Sequence, residues 1–307
     1  MSSGAPSRPM LSRVERFTAV GSTNDVVRAW LVDATPEVCL AVADVQAAGR
    51  GRHDRTWAAP AGAALLLSLG FRPTWIVPDR AWRVAATVAL AMADAAEDTA
   101  GLPVGTLRLK WPNDLVIETA GPRALLPAGL GVAEAAATLA APLALRKLAG
   151  VLGETDGLGT DDPRLVVGLG INADWERRAF PADLAPGMTS LREASGDRPI
   201  DREALLAAFL DRLDGRLEAL RGGWFDLATW ADRQATTGRL VTLEAADGST
   251  TAPLRALGVD GASGALVLAD DRAPGGERLV HAGEIARVRL AAGAGGGHPA
   301  QSAAGRV

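Results

Sequence analysis

Three arginines interleaved with glycines follow an apolar run, in the segment Gln46-Ala47-Ala48-Gly49-Arg50-Gly51-Arg52-His53-Asp54-Arg55-Thr56-Trp57. Guanidinium groups grip carboxylate or phosphate oxygens in a fork and keep their charge. Glycines let backbone amides close on an anion. The segment therefore predicts a loop that closes over an anionic ligand. A solvated basic turn and an RNA-binding segment are the alternatives left open by these residues alone. The loop is not a nucleoside-triphosphatase phosphate loop, because G-x-x-x-x-G-K-[ST] is missing. It is not a dinucleotide fingerprint either, since Asp54 stands where a third glycine belongs.

Four further constellations carry possible chemistry. In Lys110-Trp111-Pro112-Asn113-Asp114 the proline fixes the backbone, so Asn113 and Asp114 sit in a tight turn that can offer a carboxylate to a metal-bound phosphate. A hairpin turn with a buried tryptophan explains the same residues. In Lys147-Leu148-Ala149-Gly150-Val151-Leu152-Gly153-Glu154 a lysine opens an apolar strand and could neutralise a phosphoryl group, or simply lie on the surface. Gly168-Leu169-Gly170-Ile171-Asn172 puts two glycines in an apolar strand, which fits close passage of a ligand or backbone, or tight sheet packing. Gly21-Ser22-Thr23-Asn24 opens a helix, as an ordinary cap or as donors to a polar ligand.

The elements that must position these groups alternate along the chain. Ser22 or Thr23 can cap a helix with Val26, Val27, Trp30 and Leu31 on its apolar face. Val38 to Val45 and Ala63 to Leu69 read as strands, and Asp79 can cap a long alanine-rich helix with Trp82 near its start. Short strands follow at Leu107 to Trp111, Leu115 to Ile117, Leu148 to Leu152 and Leu165 to Leu169. Asp201 caps the clearest helix, where Leu205, Leu206, Phe209, Leu210, Leu213, Leu217 and Leu220 repeat at helical spacing. The mixture predicts an α+β or mixed α/β domain. After Gly238, roughly five short alternating segments separated by Asp-Gly and Gly-Gly turns predict a small β-barrel. The expected organisation is a disordered tail over 1–12, a catalytic domain over 13–235, a C-terminal barrel over 236–290 and a disordered tail over 291–307. The 119–146 segment, rich in Ala, Leu, Gly and Pro, reads as a helical insertion or a flap.

Composition narrows the function. The 307 residues include 48% hydrophobic and 22% charged, which excludes a wholly disordered chain. A formal net charge of -4 runs against a protein that coats nucleic acid. The single cysteine, Cys39, permits no intramolecular disulfide and sits in an apolar run, so it reads as core. With three histidines in the chain, a zinc site of Cys and His is not expected. Neither a signal peptide nor a membrane span is evident, and the expected setting is cytoplasmic.

Each motif is weak alone, but their order is not. Ser22-Thr23-Asn24, then Gln46 with Gly49-Arg50-Gly51-Arg52, Arg55 and Trp57, then Lys110 to Asp114, then Lys147 to Gly150, then Gly168 to Asn172 closely resembles the biotin protein ligase family, from about Val14 to Leu290. The resemblance implies an α+β fold: a mixed sheet with helices, of the class II aminoacyl-tRNA-synthetase-like kind, plus a small SH3-like barrel. It implies ATP and Mg²⁺ as cofactors, biotin as substrate, and a biotin carboxyl carrier protein domain as partner. By position, Ser22, Thr23, Asn24, Gln46, Gly49, Arg50, Gly51, Arg52, Lys147 and Gly170 resemble the biotin site. Arg50, Arg52, Arg55, Trp57, Lys110, Asn113, Asp114, Lys147 and Asn172 resemble the ATP and adenylate site. Lys147 and Arg52 would be catalytic, and Asp114 a magnesium contact. Some family members carry an N-terminal helix-turn-helix; the Ser-Thr-Asn motif starts at residue 22 here, so no DNA binding is expected. A monomer or weak homodimer is expected. The main rival is a lipoate or octanoate ligase or transferase, and those transferases rely on a catalytic cysteine.

Overall fold

The computed structural model describes residues 10–53, 55–119, 144–245, 247–285 and 287–290. Residues 1–9, residues 291–307 and nearly all of the 119–146 segment lie outside them.

Seven strands form one mixed sheet in the order β1-β2-β3-β7-β6-β5-β4. They are β1 (Arg13–Val20), β2 (Cys39–Gln46), β3 (Ala64–Phe71), β4 (Leu107–Lys110), β5 (Asp114–Thr119), β6 (Ala144–Asp156) and β7 (Arg164–Asn172). β1 runs parallel to β2, and the other neighbours are antiparallel. β3 is buried at every position, which is why it reads as an unbroken apolar run rather than an alternation. β1 has no expected counterpart in the sequence reading: as an edge strand with charged Arg13, Glu15 and Arg16 it lacks an apolar signature. Just before it, Met10 and Leu11 pack against the main core.

Among the described residues five helices accompany the sheet: α1 (Thr23–Val32), α2 (Trp82–Ala100), α3 (Leu191–Ala194), α4 (Arg202–Arg221) and α5 (Leu227–Asp232). α2 and α4 bury the large apolar cluster against one sheet face. α1 lies on the opposite face, where Val27, Trp30 and Leu31 meet Cys39, Ala41 and Val166. Asp201 caps α4 as the pattern predicts, accepting from the amides of Glu203 and Ala204. The expected cap at Asp79 is not formed. Pro78 starts a separate 3₁₀ turn over Pro78–Arg80, and α2 begins at Trp82 with Ala81 as its N-cap residue. Ser22 is the N-cap of α1 by backbone conformation, but its hydroxyl makes no cap bond.

A second, antiparallel sheet follows in the order β11-β10-β9-β8-β12. Its strands are β8 (Leu240–Glu244), β9 (Leu254–Val259), β10 (Leu266–Ala269), β11 (Glu277–Val280) and β12 (Arg287–Leu290). They enclose their own cluster of Val241, Leu243, Ala256, Leu266, Leu268, Val280, Ile285 and Val288, and Trp111 from the β4–β5 turn completes it. Trp111 Nε1 donates to the Gly264 carbonyl at 3.0 Å, Arg83 donates to Gly261 at 2.8 Å, and Arg239 pairs with Glu118 at 2.7 Å. The β4–β5 turn is thus tied to the second sheet through Trp111, while α2 and β5 reach the same unit through Arg83 and Glu118. Among the described residues no helix is long and apolar enough to cross a membrane.

Candidate active site

A cavity of about 750 Å³ gathers motifs from widely separated parts of the chain. Ser22, Thr23, Asn24, Gln46, Arg50, Gly51, Arg52, Arg55, Trp57, Lys110, Asn113, Asp114, Lys147, Gly170 and Asn172 all line it. Gly49 stands just behind the wall. A Cβ there would lie 2.3 Å from the Trp57 carbonyl oxygen, so only glycine lets the Arg-Gly loop turn back on itself. The returning strand is fixed by Trp57 N donating to Gly49 O at 2.8 Å and by the Arg50–Thr56 bridge.

One end of the cavity is built from neutral polar groups at the start of α1. Gln46 Oε1 accepts from the Thr23 amide at 2.7 Å and the Thr23 hydroxyl at 3.1 Å. A backbone N–H can only donate, so the Gln46 amide is locked with Nε2 as the donor it can offer a ligand. Ser68, fully buried, donates to Asn24 Oδ1 at 2.5 Å and lies 2.7 Å from Thr23 Oγ1. Asn24 Nδ2 donates to Glu154 Oε2 at 2.5 Å. Glycines 168 and 170 point to the same side of β7. A Cβ on Gly168 would stand 2.2 Å from Asn24 Oδ1, and one on Gly170 would stand 2.6 Å from the Trp57 ring. What passes close to this strand is therefore two side chains of the site itself, not a neighbouring backbone.

The other end is charged. β6 carries one extra residue opposite β5, because Leu115 pairs with Ala149 while Val116 pairs with Lys147. This bulge sends Leu148 into the core and turns Lys147 to the cavity side, beside Gly150. Lys147 lies three residues inside β6 rather than opening it. Its ammonium group sits 2.6 Å from Asp114 Oδ1 and 5.3 Å from the centre of the Trp57 ring. Trp57 Nε1 is buried and has no hydrogen-bond partner among the described residues. Asn113 Nδ2 donates to Val151 O at 3.1 Å, which pins the turn, and Asn172 Nδ2 donates to Thr189 O at 2.9 Å.

Arg50 and Arg52 of the Arg-Gly loop rest on different partners. Arg50 makes a two-pronged pair with Asp25 at 2.7 and 2.8 Å and lies 3.6 Å from Glu154. The Arg50 hydrogen bonds hold the Asp25 carboxyl below its ordinary pKa, and Asp25 raises that of Arg50. Arg52 donates to Ile285 O at 2.7 Å and also to Ala282 O, which ties the loop to the second sheet.

Several functional positions escaped the sequence reading. Trp175, Pro181, Leu184 and Met188, from the segment after β7, complete the cavity wall. Two aromatics and a proline close to Asn172 were the available signal, and Trp175 packs edge-on against Phe180 at 5.7 Å. Ser68 was visible as a lone polar residue inside the apolar run of β3, and Glu154 as the end of the Lys147 motif. Cys39 is core as expected: it is buried, and burial pushes its thiol up to about 11, so no thiolate nucleophile is available. Among the described residues no three His, Cys, Asp or Glu side chains converge on a metal. A magnesium ion carried on phosphate oxygens needs only one or two carboxylates, and Asp114 can supply one.

Comparisons with known proteins define the family and the fold. Residues 17–172 match the family described as Biotin/lipoate A/B protein ligase family. The chain is 31% identical over 227 residues to the biotin--[acetyl-CoA-carboxylase] ligase of Mycobacterium tuberculosis, covering 73% of this chain and 71% of that one. It is 28% identical over 191 residues to the bifunctional ligase/repressor BirA of Bacillus spizizenii, covering 62% of this chain and 49% of that protein, so this match spans about half its relative. The structure of the biotin protein ligase from Aquifex aeolicus in complex with biotin and ATP superposes with a TM-score of 0.67 at 22% identity, covering 91% of this chain and 99% of that one, and shows a shared fold. The chain belongs to the biotin/lipoate A/B protein ligase family.

Proposed function

We propose that this chain is an ATP-dependent biotin–protein ligase. In the first step the biotin carboxylate attacks the α-phosphate of ATP, giving biotinyl-5′-AMP and pyrophosphate. In the second, a lysine amine of a biotin carboxyl carrier protein domain attacks the mixed anhydride, giving an amide and AMP. The observation that carries the reading is one continuous cavity with neutral hydrogen-bonding groups at one end and the Lys147–Asp114 pair at the other. A ring with amide-like edges suits the first end. A carboxylate meeting a phosphate suits the second.

On this reading Ser22, Thr23, Asn24 and Gln46 take the biotin ring, with Gly49 to Arg52 as the lid. Trp57 lies over Gly150 and Gly170 and forms a wall against the ligand. Arg55, Lys110, Asn113, Asp114 and Asn172 form the nucleotide side. Bringing two anions together is unfavourable, and Lys147, Arg50 and Arg52 offset that repulsion. Lys147 exchanges its Asp114 partner for substrate oxygens, and Arg52 exchanges the carbonyls of residues 282 and 285. Asp114 would hold a magnesium ion, which would supply further charge neutralisation when bound. The closed lid then keeps water from the anhydride.

The name of the Mycobacterium tuberculosis relative supports biotin over lipoate, and buried Cys39 offers no route to the cysteine-dependent octanoyl transfer. Residues 13–235 form the catalytic unit, and residues 236–290 the unit that steadies the lid and the β4–β5 turn. The chain acts in the cytoplasm as a monomer or weak homodimer, with a carboxylase carrier domain as its partner and no DNA partner. Incubation with ATP, Mg²⁺, biotin and a carrier domain tests the reading. Mass spectrometry should find one biotinyl adduct on the carrier lysine; an unmodified carrier, or equal modification with lipoate, contradicts it.

A further inference from the structure

The neutral end of the cavity and the cationic lid are joined by a hydrogen-bonded chain of side chains. Gln46 accepts from Thr23, the buried Ser68 bridges Thr23 and Asn24, and Asn24 Nδ2 donates to Glu154. The same carboxylate stands 2.9 Å from Arg28 and 3.6 Å from Arg50. A carboxylate only accepts, so Glu154 dictates that Asn24 turns its nitrogen outward and its oxygen toward Ser68. It also places negative charge beside the lid guanidinium, adding to the Asp25 pair. Arg28 joins the two carboxylates, since it also bonds Asp25 at 2.6 Å. Two cations and two anions thus form a closed group around Arg50, and one member of it bonds Asn24.

We propose that Glu154 is a positioning residue that couples the ring pocket to the lid. Through one carboxylate it orients Asn24 and holds Arg50, so that ring binding and placement of the Arg50 cation depend on each other. This rests on the reading that the cavity takes biotin.

Biotin-dependent ATP–pyrophosphate exchange by the full chain tests it. Glu154→Gln keeps the shape and removes the charge. It should raise the KM for biotin about ten-fold or more and leave the KM for ATP within about two-fold. Glu154→Asp, which keeps the charge, should recover most of that loss, whereas a simple packing defect would not be rescued. A double-mutant cycle between Asn24→Ala and Arg50→Ala, read in the biotin KM, should deviate from multiplicative behaviour by about five-fold or more with Glu154 present. The deviation should vanish in the Glu154→Gln background. Multiplicative effects in both backgrounds overturn the proposal, as does a Glu154→Asp enzyme no better than Glu154→Gln. If the unaltered chain shows no biotin-dependent exchange, the biotin reading itself fails, and that outcome is distinct from loss of coupling alone.

Discussion

Lys147 reaches the cavity beside Asp114 where β6 carries an extra residue, so the role proposed for it is a matter of strand register as much as charge. Lys147→Ala should lower biotin-dependent pyrophosphate release by about 100-fold or more, since it removes a charge-stabilising donor; near-normal release contradicts that. Gly170→Ala places a methyl group where the Trp57 ring now lies. Its KM for biotin should rise about ten-fold with an unchanged circular dichroism spectrum; an unchanged KM means that Trp57 is not part of the site. Asp25 offers a pH test. Its folded pKa is lowered, first by the Arg50 hydrogen bond, so its stabilisation is complete above the ordinary aspartate value near 3.9 and fades as pH falls through the lower folded value. The difference in Tm between the chain and its Asp25→Asn variant should be flat from pH 5 to 7 and shrink below about pH 4; a difference that grows on acidification refutes the pairing. At this scale the types and order of the motif residues were legible in the sequence. The roles of Ser68, Asp25 and Glu154 were not, because they arise from contacts among β3, α1, β6 and the Arg-Gly loop that no local pattern encodes.

At the scale of elements, periodicity worked best where one face alone is buried. α4 showed its leucine stripe and its Asp201 cap, and β8 and β10 of the second sheet alternate between more and less buried positions. It failed at β1, which hides its edge position behind charged residues, and at Asp79, where Pro78 makes a separate turn. Some links between elements are ionic and buried. Arg233, beyond α5, bonds both Glu97 oxygens at 2.9 Å and Asp94 at 2.8 Å, so the α5 end is clamped to α2. Glu97 is 1% exposed and also accepts from the Leu107 amide that opens β4. Arg233→Met leaves that carboxylate buried without its counter-charge and should cost about 3–5 kcal/mol in urea unfolding. A loss below about 1 kcal/mol would show that the clamp is not required.

For the whole molecule, two sheets share one task. The unit of the second sheet binds Trp111 of the β4–β5 turn and the Arg-Gly loop through Arg52, so two walls of the cavity are anchored outside the large sheet. Sequence reading located the second sheet but not these ties, which run through backbone carbonyls that carry no residue-specific signature. The central claim is that this cavity activates biotin as an adenylate, and ATP–pyrophosphate exchange measures that step without any carrier protein. With Mg²⁺ present, exchange should depend on biotin, stay at background with lipoate, and fall to background with Lys147→Ala. Exchange that ignores biotin, or that lipoate supports equally well, contradicts the account.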